Sequence, residues 1–145
     1  MAAESAIGDC LGGSKALGAN PKNPLQWDRL IREGFAVQSA ETLKERLGIT
    51  DAGLAELLGI SEKTLSRARA SKSRLDVVAS DRLFRLARIV ALAIRVLESD
   101  QGALHWLKRS QIGLGVRIPL TLLATDAGCE QVEKLLLAIE HGVYA

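Results

Sequence analysis

Aromatic residues are scarce in this chain: two Trp, two Phe and one Tyr among 145 residues. None recurs at a spacing that would build a row of stacking platforms, which excludes single-strand nucleic-acid binding by serial base stacking. Cysteine is limited to Cys10 and Cys129, and histidine to His105 and His141. No two of them stand at metal-ligand spacing, so no metal site is expected. A disulfide framework is not expected either, which fits a reducing cytosol. Long apolar runs are missing as well. The most apolar segment, LFRLARIVALAIRVL over 83–97, carries Arg85, Arg88 and Arg95 and cannot span a bilayer. Glu4, Asp9 and Lys15 interrupt any secretory signal, so the expected location is cytoplasmic, without membrane association. Catalytic constellations are equally absent. Gly113 and Gly115 have no third glycine, P-loop lysine or preceding strand, and neither His has an evident Ser, Cys or Asp partner. No enzyme and no cofactor are expected, and both His read as surface or packing residues.

What is present is an uneven distribution of charge. The net charge of the chain is only +2, yet residues 63–95 hold nine Lys and Arg against two acids, a net of +7, while the remainder carries ten bases against fifteen acids, −5. A basic middle in an otherwise acidic chain is the electrostatic footprint of a polyanion-binding surface. It begins within TDAGLAELLGISEKTLSRARASKS, residues 50–73. This stretch predicts helices over 51–58 and 62–72. Gly59 stands at the corner, where φ > 0 is needed, and Thr50 and Ser61 stand as N-caps. Leu54, Leu58, Ile60, Leu65 and Ala68 can share a small core, and Ala55 lets the second helix cross close to the first. That is the pattern of a helix-turn-helix whose second helix enters the DNA major groove. Lys63, Thr64, Ser66, Arg67, Arg69 and Lys72 are the expected DNA-binding residues. A plain surface helix pair is the competing reading, but the caps, the corner and the basic face agree on the first.

The rest of the chain reads as all-α. Residues 1–22, rich in Ala, Gly and Ser, read as a flexible leader. Asn23 caps a helix with Pro24 at its first position, in which Trp27 is a packing anchor and which Gly34 ends. Ser39 is the expected cap of a helix through Leu47. Ser80 is the expected cap of a helix over 81–97, with Leu83, Leu86, Ala87, Val90, Ile94 and Leu97 on one face. Arg82, Arg85 and Arg88 form a ladder on another face. They either neutralise phosphates or pair with Asp81 and Glu98. Ser99 opens a short helix containing Trp106, Pro119 starts another, and Thr125 caps a last helix, 126–141, closed by Gly142. Gly128, Val132, Leu135, Leu136 and Ile139 face inward on it, and Glu130, Glu133, Lys134, Leu137 and His141 fall on the opposite side. The expected organisation is a leader (1–22), a helix-turn-helix domain (23–98) and a helical C-terminal module (99–145).

Several short runs keep one order and spacing: IREGF (31–35), KTLSRAR (63–69), SDRLFRLAR (80–88), Trp106-Leu107, Leu114-Gly115, PLTLLATDAG (119–128), Val132, Leu135-Leu136 and IEHGVYA (139–145). Over residues 31–145 this pattern resembles the Xre/MbcA/ParS-type antitoxins, partners of RES-domain toxins. Two departures stand out. The family pattern has a Pro after the Trp-Leu helix, where this chain has Ser110 or a neighbour. It also has a Gly-Gly pair where Leu114-Gly115-Val116 offers one glycine. The resemblance implies a type II antitoxin whose C-terminal module obstructs the cleft of an NAD⁺-consuming RES toxin. The implied contacts are Glu133, Leu137, Glu140, His141, Gly142, Val143, Tyr144 and Ala145. It also implies a homodimer that represses its own operon on palindromic operator DNA. The alternative is a dimeric helix-turn-helix regulator with no toxin partner.

Overall fold

The computed structural model describes residues 3–142, and its regular structure there is helical apart from two isolated β-bridges. The chain divides into two compact units, residues 1–87 and 88–145, with the boundary inside one long helix. The first unit contains α1 (Ala3–Cys10), α2 (Gly13–Leu17), α3 (Pro24–Glu33), α4 (Val37–Leu47), α5 (Asp51–Leu58), α6 (Glu62–Ser71) and the first half of α7 (Val77–Leu97). The second contains the rest of α7, α8 (Asp100–Leu107), a 3₁₀ turn (Ile112–Leu114), α9 (Pro119–Leu122) and α10 (Asp126–Glu140).

The expected leader is corrected by the structure. Residues 3–17 form α1 and α2, which pack on α4 and bury Ile7, Cys10, Leu11 and Leu17. Helices this short have no stability of their own, so their existence depends on the surface they cover rather than on a visible period.

Trp27 is the anchor of the first unit. Its ring meets Phe35 edge-on at 6.1 Å and Phe84 at 5.1 Å between centroids, an arrangement worth about 0.5–1.5 kcal/mol per pair beyond area burial. In the same unit Leu43, Leu47, Leu54, Leu58, Leu65, Leu83 and Leu86 are all buried. Asn23 caps α3 as expected, its side chain accepting from the Gln26 amide at 3.0 Å.

Two expected caps are corrected. α4 begins at Val37, not after Ser39, because an antiparallel bridge pairs Ala36 with Arg74 and ties the chain down earlier. The Val37 amide donates to Ser73 O and the Leu75 amide to Phe35 O, while Ser39 lies buried inside the helix. α7 begins at Val77, with Asp76 Oδ1 accepting from the Ala79 amide at 2.8 Å. Ser80 is buried instead, its Oγ accepting from the Phe35 amide at 2.9 Å. It pins the α3–α4 connection to α7.

In the second unit Thr125 caps α10, accepting from the Gly128 amide at 3.0 Å. Gly128 lies against the end of α9, where a Cβ would stand 1.9 Å from Leu122 O. The close approach expected at this glycine is therefore a backbone-to-backbone contact. Val132 and Leu136 continue the buried stripe with Cys129.

Candidate functional site

The corner between α5 and α6 is built by short-range hydrogen bonds that the sequence encodes. Thr50 Oγ1 accepts from the Gly53 amide and Ser61 Oγ from the Thr64 amide, both at 3.0 Å. The Ser61 hydroxyl also donates to Thr64 Oγ1 at 2.9 Å, which fixes the first turn of α6. Gly59 sits at φ 69°, the left-handed region that closes a helix without steric cost only for glycine. Leu65 and Ala68 face inward and are buried, as are Leu54, Ala55 and Leu58, while Ile60 is half-buried.

With that face inward, Lys63, Thr64, Ser66 and Arg67 are exposed along α6, and Lys72 is exposed at its C-cap. Arg69 is placed differently. Its guanidinium reaches Glu41 at 2.7 Å and Asp51 at 2.8 Å, and Lys44 joins Asp51 at 3.2 Å. Hydrogen bonding from Arg69, and then from Lys44, holds the Asp51 carboxyl below the usual carboxylate range. The same Asp51 hydrogen bond, followed by that of Glu41, raises the already basic Arg69. Arg69 therefore clamps α6 to α4 and α5, whereas Arg67 presents its charge outward. Arg74 was not among the expected DNA contacts. It is exposed, its guanidinium donates to Gly34 O at 2.9 Å, and it shares with Thr64, Arg67, Ser71 and Ser73 a groove of about 320 Å³ beside α6. Its place in the basic segment was the one available signal.

The arginine ladder resolves into separate roles. Arg82 lies over the corner, close enough that a Cβ on Gly59 would meet its guanidinium. Arg88 pairs with Glu133 at 3.1 Å, not with Asp81 or Glu98. Further along, Arg95 grips Glu140 through two hydrogen bonds of 2.9 Å. Glu133, Leu137 and Glu140 form one stripe of α10, and the structure turns that stripe toward α7. Leu137 is accordingly half-buried rather than exposed. His141 is the exposed C-cap, and Gly142 closes the helix at φ 73°. Val143, Tyr144 and Ala145 lie outside the described residues.

Between α8 and α9 the chain makes a tight loop that carried no expected contact. Gln111 pairs with Arg117 across an antiparallel bridge, and Gly115 and Val116 are consecutive left-handed residues, at φ 66° and 61°. This is where the resembled pattern has two glycines. A β-branched residue at positive φ is a genuine outlier.

These features define a helix-turn-helix protein with a second, helical C-terminal module. Residues 26–88 match the model of the antitoxin Xre-like helix-turn-helix domain, and residues 92–142 that of the antitoxin Xre/MbcA/ParS C-terminal toxin-binding domain. The chain belongs to the Xre antitoxin family. It is 31% identical over 116 residues to an antitoxin Xre of Yersinia enterocolitica, covering 79% of this chain and 78% of the relative. It is 33% identical over 112 residues to an antitoxin Xre of Pseudomonas putida, covering 77% and 69%. Among solved structures, a chain of the M. tuberculosis MbcT-MbcA toxin-antitoxin complex is similar, with a TM-score of 0.55 and 25% identity over 75% of this chain and 96% of that one. Among the described residues no helix is long and apolar enough to cross a membrane.

Proposed function

We propose that this chain is a non-enzymatic, type II antitoxin with two binding activities: its C-terminal module blocks a RES-type, NAD⁺-consuming toxin, and α6 reads the operator of its own operon as a homodimer in the cytoplasm. The observation that carries the toxin half is the match of residues 92–142 to a toxin-binding domain, alongside the likeness to a chain of a toxin-antitoxin complex. Support for the DNA half comes from the capped helix-turn-helix and its outward Lys63, Ser66 and Arg67. A single reading helix makes too few phosphate contacts for tight binding, which favours a two-fold dimer on two half-sites.

For DNA the contacts assigned are Lys63, Thr64, Ser66, Arg67 and Lys72, with Arg74 added. Arg69 contributes through the placement of α6. For the toxin the contacts assigned are the exposed His141 and Gly142, together with Val143, Tyr144 and Ala145, which follow them in the sequence. The acids Glu133 and Glu140 contribute only if Arg88 and Arg95 release them.

The test is co-expression with the product of the adjacent gene. A tagged copy of this chain is expected to retain that protein through purification and to restore growth of cells arrested by it. The purified chain is also expected to shift its own promoter DNA. Retention without a shift would leave an antitoxin that does not repress. A shift without any retained partner would make the chain an ordinary regulator.

A further inference from the structure

Six large aliphatic residues are exposed among the described ones, and three of them fall within seven positions of one loop: Ile112 at 88%, Val116 at 67% and Ile118 at 39%. Scattered exposed aliphatics are ordinary, whereas a cluster is not. The loop that holds them is rigidly built. The Gln111 amide donates to Arg117 O and the Val116 amide to Gln111 O, both at 3.0 Å, and the Gly115 amide donates to Ile112 O at 3.1 Å. Gln111 Nε2 donates to Trp106 O at 2.9 Å and to Arg109 O at 3.2 Å. Leu114 is the one side chain of the tip that turns inward and is buried, and Gly113 lies against Leu135 of α10.

Val116 sharpens the point. Its left-handed backbone is sterically strained for a β-branched residue, and its side chain is exposed to solvent rather than packed into the core. Neither folding nor packing is served by that combination. Binding is, because a pre-shaped apolar tip loses little conformational freedom on contact.

The charge around the tip restricts what can cover it. Residues 108–118 contain three cations and no acid, namely Lys108, Arg109 and Arg117, all exposed. A two-fold contact of this loop with its own copy would set those cations against one another. DNA would accept the cations but leave Ile112 and Val116 without an apolar partner. The fitting surface is that of a different protein, with an apolar recess rimmed by carboxylates. We propose that the loop 109–118 is a principal toxin-docking element: Ile112 and Val116 enter an apolar recess on the toxin, and Arg109 and Arg117 engage carboxylates at its rim. This rests on the reading that the C-terminal module binds a toxin, within whose matched span, 92–142, the loop falls. Arg117 also lines, with Leu114, Leu122, Thr125 and Gln131, a groove of about 560 Å³ that gives a toxin side chain a place to enter in return.

The experiment measures binding of the tagged adjacent-gene product to four full-length chains: wild type, Ile112→Asp, the pair Arg109→Glu with Arg117→Glu, and Val116→Gly. Ile112→Asp is expected to weaken binding by about tenfold or more, as for loss of a central aliphatic anchor, with its melting temperature unchanged. The double charge reversal is expected to slow association and remove its salt dependence. Val116→Gly carries the distinguishing signature: a higher melting temperature, because the backbone strain is relieved, together with weaker binding. Wild-type affinity in all three variants would overturn the assignment while leaving the antitoxin reading intact. An oligomer dispersed by Ile112→Asp with toxin binding unchanged would overturn it in favour of self-association. No binding by the wild type would remove the antitoxin reading itself, and this proposal with it.

Discussion

Gly128 and Gly59 pose the same question at the scale of one residue: what a single methyl group would meet. At Gly128 a Cβ would stand 1.9 Å from Leu122 O and 2.8 Å from Leu122 C, and neither backbone atom can swing aside. Alanine is the better helix former by about 1 kcal/mol, yet the clash opposes it. We expect Gly128→Ala to destabilise the second unit by about 1–3 kcal/mol, the usual range for overpacking. At Gly59 the neighbour is the movable end of Arg82, so Gly59→Ala costs mainly the left-handed backbone, about 1 kcal/mol. Thermal unfolding checks both. Gly128→Ala should lower the melting transition of the second unit more than Gly59→Ala lowers that of the first; equal shifts would refute the backbone contact. The inward position of Gly128 was legible from its place on the wheel. The partner was not, because nothing in the periodicity says that a carbonyl of α9 lies opposite.

At the scale of the element, α6 separates two arginines that composition treats alike. Arg67 is exposed, and Arg69 is bound by Glu41 and Asp51. Arg67→Ala is expected to abolish the operator shift at moderate salt while leaving stability and toxin binding unchanged. Arg69→Ala is expected to lower stability and weaken operator binding together, because α6 loses its clamp. The two also differ in their response to pH. The Asp51 carboxyl is depressed in the folded chain by its hydrogen bonds to Arg69 and Lys44. Its contribution is therefore present above the unfolded carboxylate value and is lost as pH falls through the lower folded one. Removing Arg69 should flatten the acid-side loss of stability, measured by melting from about pH 7 to about pH 3; an unchanged profile would show that the clamp contributes nothing.

The helix-turn-helix itself was readable from caps, corner and period, since all three are local. Which arginine stands outward and which one braces depends on where α4 and α5 bring their acids, 28 and 18 positions from Arg69 in the chain. The stripe of α10 was misplaced for a related reason. A wheel separates apolar from polar but does not distinguish solvent from a neighbouring basic helix. Arg88 and Arg95 stand seven apart and so do Glu133 and Glu140, a matched spacing that could have suggested the pairing. The cluster at Ile112, Val116 and Ile118 escaped because a loop has no period to betray its exposed side.

For the whole molecule, the pairing of Arg88 and Arg95 with α10 changes what the basic middle of the chain can do. Arg88, Arg95 and Arg69 have acid partners within the fold, whereas Lys63, Arg67, Lys72 and Arg74 stand exposed on and beside α6 in the first unit. The second unit, with Glu133 and Glu140 held by Arg88 and Arg95, is left with the 109–118 loop as the distinctive surface among its described residues. That partition predicts that the two proposed activities are separable within one chain. Deleting Val143–Ala145 is expected to weaken neutralisation of the toxin by the tail's share of the contact while leaving the operator shift of the full-length level. Arg67→Ala is expected to do the reverse. Growth rescue of toxin-arrested cells and a promoter gel shift, run on both variants, read the two outcomes independently. If the truncated chain rescues as well as the intact one, toxin blockade resides in the helical module and its exposed loop, and the tail is dispensable. If either change abolishes both activities, the units do not act apart, and DNA reading and toxin binding must be treated as one coupled surface.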